Sequence, residues 1–148
     1  MTPVLQALVL AEKVYEDRSG KKIIAGTFNR VVLRADKPRE QVLPDGTKQT
    51  LLKGGMHAGS PSAYISLTDV ARETRLSLQF VNLTKNVVLF GTELHVTCED
   101  RLATVEIIVP LPPLNVPEEG SYAFEVVCEG EILGSHRIIV SHEGSDKE

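Results

Sequence analysis

In its second half this chain alternates apolar and polar residues with a period of two, and that alternation narrows the fold more than any other feature. Leu76, Leu78 and Phe80 alternate with Arg75, Ser77 and Gln79. Val88, Phe90, Leu94, Val96 and Cys98 share one parity, as do Tyr122, Phe124, Val126 and Cys128. Successive side chains of a strand point to opposite faces, so each run reads as a half-buried β-strand. Strands are expected at 62–70, 74–83, 87–98, 103–109, 121–128 and 131–140. Turn residues such as Thr84-Lys85-Asn86 and Glu129-Gly130 divide them. Short strands at even spacing predict an all-β, antiparallel two-sheet β-sandwich.

The first half adds a hairpin. Residues 4–15 fit a strand with Leu5, Ala7, Val9 and Ala11 on one face, or a helix with Leu5, Leu8 and Tyr15 on one face. The turn cluster Asp17-Arg18-Ser19-Gly20 and the apolar run Lys22 to Leu33 favour the strand. Gly26 inside that run marks a bulge or a close backbone approach. The total is about eight strands in one domain, residues 1–141, with a polar tail at 142–148.

Two segments interrupt the pattern. Residues 36–61 read as an inserted loop or hairpin: Gln41-Val42-Leu43, a turn at Pro44-Asp45-Gly46, then Gln49 to Leu52, followed by the glycine-rich Gly54 to Pro61. Pro110, Pro112, Pro113 and Pro117 fall in one connection. Proline lacks the ladder donor, so this connection reads as a stiff strap crossing from one sheet to the other. After it, Gly120-Ser121-Tyr122 resembles the corner before the penultimate strand of immunoglobulin-like domains, where a tyrosine hydroxyl bonds upstream backbone. Phe124 stands where an antibody domain carries its second cysteine. The expected topology is therefore immunoglobulin-like without the antibody disulfide.

Composition excludes several functions. The net charge is -4, basic residues are scattered, and aromatics make up 5% with no tryptophan. That leaves no electrostatic footprint for nucleic acid and few rings for stacking on bases or sugars. Met1 to Leu5 carries no Lys or Arg ahead of an apolar stretch that ends at Glu12-Lys13, so neither a secretory signal nor a membrane span is expected, and a cytoplasmic protein is. Cys98 and Cys128 lie on apolar parity and read first as free thiols, with an interstrand disulfide or a redox pair as the alternatives.

The histidines, His57, His95, His136 and His142, form no metal-binding pair. His57 lies in the glycine-rich loop near Ser60 and Ser62, but a nucleophile there would need an orienting group and an oxyanion site, and no nucleophile-elbow motif is present. Acidic pairs at turns, such as Glu99-Asp100 and Glu118-Glu119, lack the spacing of a calcium loop. No cofactor is expected.

The order of segments resembles a family of small, uncharacterised bacterial proteins. The resemblance is carried by Ala7-Leu8-Val9-Leu10-Ala11-Glu12, Asp17-Arg18-Ser19-Gly20-Lys21, Gly26-Thr27-Phe28 with Val31, Ala63 to Leu67-Thr68-Asp69, and the closing Gly120-Ser121-Tyr122 and Leu133-Gly134-Ser135-His136. It implies a bacterial β-sandwich and carries no activity with it. The expectation is a non-enzymatic protein that binds another protein or itself as a homo-oligomer. Leu43, Leu51, Leu52, Met56 and His57 in the insert are the candidate contact residues, and an unpaired sheet edge is a second route. A phage-type structural assembly protein is the alternative, followed by a ligand-binding or hydrolytic domain using the 36–61 loop.

Overall fold

The computed structural model describes residues 2–33, 39–42, 44, 48–51, 60–114, 116 and 118–142. In chain order its strands are β1 (Val4–Glu16), β2 (Lys22–Thr27), β3 (Arg30–Leu33), β4 (Arg39–Val42), β5 (Lys48–Leu51), β6 (Ser62–Thr68), β7 (Glu73–Asn82), β8 (Val87–Thr97), β9 (Val105–Pro110), β10 (Gly120–Cys128) and β11 (Glu131–His142). One sheet runs β2-β1-β6-β9 and a five-stranded sheet runs β3-β11-β10-β7-β8. The β4–β5 hairpin in the insert is a separate two-stranded sheet, paired from Arg39↔Leu51 to Val42↔Lys48.

The two sheets stack on an apolar core drawn from their facing parities. Ala63, Ile65 and Leu67 of β6 meet Leu76, Leu78 and Phe80 of β7 and Tyr122, Phe124 and Val126 of β10. Burying each of the larger aliphatic and phenylalanine side chains stabilises the fold by about 1.5–3 kcal/mol relative to leaving it exposed. Phe80 centres the aromatic part of the core, 4.7 Å from Phe124 and 5.5 Å from Tyr122 between ring centroids.

Residues 4–16 are strand, which resolves the helix alternative. Their face differs from the expected one. A bulge between Leu5 and Ala7 puts Leu5, Leu8 and Leu10 opposite Leu67, Ile65 and Ala63, all core residues, and turns Ala7, Val9 and Ala11 the other way. An extra residue in a period-two pattern inverts every position beyond it.

The apolar run from Lys22 to Leu33 is two strands, not one. It breaks after Thr27 and changes sheets, so among the described residues nine strands build the sandwich. Gly26 sits just before the break with φ +74°, a left-handed conformation that favours glycine. Backbone and side-chain bonds hold the crossing: the Phe28 N–H donates to the Leu10 oxygen at 3.4 Å, the Ile139 N–H to the Asn29 oxygen at 2.9 Å, and His136 Nε2 to the Phe28 oxygen at 2.8 Å. β3 then runs parallel to β11, the one parallel pair among the described residues.

The strap links β9 of one sheet to β10 of the other. Its own Leu111 and Val116 are buried, and the Leu111 N–H donates to the Pro61 oxygen at 2.9 Å. Tyr122 Oη donates to the Glu118 oxygen, forming the corner its sequence foretells.

Candidate interaction edge

Strand β8 carries the most distinctive surface of the described residues. It runs from Val87 to Thr97, while the other outer strands of the two sheets, β2, β9 and β3, have 6, 6 and 4 residues. One side of β8 pairs with β7 from Asn82↔Val87 to Glu73↔Thr97. Among the described residues no strand pairs with its other side. Every second residue there presents an N–H and a C=O to solvent.

The turn into β8 is fixed locally. Asn86 adopts φ 55°, and the Lys85 N–H donates to Asn82 Oδ1 at 3.2 Å. A bulge between Phe80 and Val81 follows, so Phe80 faces Phe90 while Val81 faces Val88. Val88 therefore leaves the core parity expected for it and lies 53% exposed. Beyond the bulge the ladder is regular. Phe90 anchors this part of β8, 5.8 Å from Phe80 and edge-on to Phe124 at 6.0 Å.

The inner face of β8 is only partly covered by the opposing sheet: Val96 near its end is buried, while its middle is open. Leu78 on β7 is 0% exposed, yet Thr92 directly opposite it is exposed. Phe90 and Leu94 on the same face are only half-buried. A five-stranded sheet stacked on a four-stranded one leaves its last strand partly uncovered. On the outer face Glu93 and His95 follow one another, with Arg75 across from His95. His95 Nε2 lies 3.0 Å from Glu73 Oε1, both side chains being largely exposed.

Elsewhere the polar side chains mostly tie strands together. Tyr64 of β6 donates to Glu106 of β9, and burial together with that bond holds the phenol above its ordinary pKa. Lys22 pairs with Glu16 across the first hairpin at 2.9 Å, which raises its pKa. Asp17 accepts from Ser19 and Lys21 in the turn, and these bonds lower its pKa. Both cysteines are free thiols: Cys128 is buried, which pushes its pKa up, and half-buried Cys98 donates to the Asp100 oxygen at 3.1 Å. Among the described residues no group of three or more His, Cys, Asp or Glu side chains could hold a metal ion. None has a helix long and apolar enough to cross a membrane.

Of the contact residues expected from sequence, Leu43, Leu52, Met56 and His57 lie outside the described residues. Leu51 ends β5, where only its backbone is described. The sequence points to an unpaired sheet edge only in general terms, because a strand's position in its sheet has no local signal. The polar, exposed Thr92 among core-parity residues was the one hint. No family model matches the chain, and no curated protein matches it in sequence.

Proposed function

We propose that this chain is a non-enzymatic protein-interaction module that binds by strand addition along the free edge of β8. The observation that carries this reading is the overhang: a long outer strand whose inner face, at Phe90, Thr92 and Leu94, extends past the sheet it packs on. Proteins usually blunt such edges with short strands, prolines or inward-pointing charges. β9 ends in Pro110, and β3 is short. The inner face of β8 has none of these devices. An added strand gains main-chain hydrogen bonds along the edge, and the half-open apolar positions give it side-chain pockets. The bacterial setting rests on the resemblance of segment order described above.

The test is Thr92→Lys, which places a charge on an exposed inner position without disturbing buried atoms. Capture from a bacterial lysate with the intact chain should retain a partner that the variant loses, while the two circular-dichroism spectra and melting curves stay alike. A partner captured equally by both chains would overturn the reading.

A further inference from the structure

We infer that the occupant of the β8 edge is a second copy of this chain, paired antiparallel about a two-fold axis at Leu94, an inference that rests on the edge reading above. Two identical strands related by a two-fold axis set each residue opposite a fixed mate, with both side chains on the same face. Each register therefore creates its own set of facing residues, and few are compatible with the chemistry of β8. A pair centred on Glu93 sets two carboxylates directly opposite each other, which is destabilising. A pair centred on Thr92 draws in the bulge between Phe90 and Val88 and leaves Glu93 facing Gly91.

Centred on Leu94, the pair uses only the regular stretch Gly91–Thr97. Glu93 of each copy then faces His95 of the other, twice by symmetry. His95 Nε2 is engaged with Glu73 of its own chain at 3.0 Å, and in the protonated ring the Nδ1–H remains to donate to the copy's Glu93. Arg75, beside His95 on β7, completes an outer row in which acids and bases interleave across the junction. On the inner face Leu94 meets its own copy and Thr92 meets Val96. These contacts cover the half-buried Leu94 and the exposed Thr92. Two five-stranded sheets become one continuous sheet, and both overhangs close against each other.

Sedimentation equilibrium of the full chain over a wide concentration range tests this. The wild-type chain should follow a monomer–dimer equilibrium that Thr92→Lys abolishes. Glu93→Lys and His95→Glu should each weaken dimerisation about tenfold, since each acts twice at the junction. The double variant Glu93→Lys/His95→Glu, which swaps the charges, should recover most of that loss. Circular dichroism checks that every variant is folded. A wild-type chain that is monomeric at all concentrations overturns the inference, and the Thr92→Lys capture experiment then judges the edge reading by itself. A dimer that Thr92→Lys breaks but the charge variants leave alone overturns the Leu94-centred register. A dimer indifferent to all these variants overturns both readings.

Discussion

Tyr122 Oη donates a 2.7 Å hydrogen bond to the main-chain oxygen of Glu118, pinning the end of the proline strap to the start of β10. The ring is fully buried beside Phe80, so the hydroxyl has lost its water and depends on that one carbonyl. Tyr122→Phe should lower stability by about 1–2 kcal/mol in urea unfolding, the cost of a lost bond and an unsatisfied acceptor.

The same residue gives the fold an alkaline limit. Burial raises the Tyr122 pKa above its ordinary 10.0, and burial also raises that of Tyr64. The folded state thus holds these protons more tightly than the unfolded chain. Their contribution is fully present below pH 10.0 and is lost as pH climbs past it towards the folded-state pKa values. Unfolding free energies measured from neutral to strongly alkaline pH should fall in that window, and Tyr122→Phe should make the fall shallower.

Phe80 and Phe124 are at most 1% exposed, while Phe90 on the overhanging strand is half-buried. Phe80→Ala and Phe124→Ala should each cost about 3–5 kcal/mol, from lost transfer energy plus a cavity the packed sheets cannot close. Phe90→Ala should cost about 1–3 kcal/mol, because solvent already reaches part of its ring. Equal losses at all three positions in urea titrations would contradict the overhang.

Gly134 on β11 lies so near Leu5 that a Cβ added there would stand 2.5 Å from Leu5 Cδ2. Gly134→Ala should destabilise by about 1 kcal/mol, because only the terminal methyl of half-buried Leu5 has to move. Leu5→Ala opens the space, so the double variant should be more stable than the sum of the single losses predicts, by about 1 kcal/mol. A double-mutant cycle in urea measures this coupling between the two sheets.

The β10–β11 turn places Glu129 at φ 51° and Gly130 at φ 77°. Both values are left-handed, as a two-residue hairpin requires, but glutamate is a poor fit there and asparagine a good one. Glu129→Asn should stabilise the fold by about 0.5–1 kcal/mol, seen as a rise of a few degrees in melting temperature.

Much of this architecture is legible residue by residue. The alternation of Leu76, Leu78 and Phe80, and of Tyr122, Phe124 and Val126, reports which faces are buried because a strand's pleat is a local property. Gly120 to Tyr122 announces the corner, and Asp17 to Gly20 announces the first turn, because both depend on a few neighbouring groups. The parities of Val88 and of Ala7 to Ala11 were not legible. Each lies beyond a bulge, and a bulge exists only relative to the strand across from it.

The sequence by itself determined an all-β sandwich, the core faces of β6, β7 and β10, the turns and the strap, since these follow from side-chain periodicity and from proline and glycine stereochemistry. Only the tertiary structure decided that the run from Lys22 to Leu33 divides between sheets, that β3 pairs in parallel with β11, and that β8 ends the larger sheet with no further strand beside it among the described residues. Those outcomes depend on which distant strands share hydrogen bonds. Thr92 and Leu78 occupy equivalent inner positions, and only the reach of the opposing sheet makes one surface and the other core.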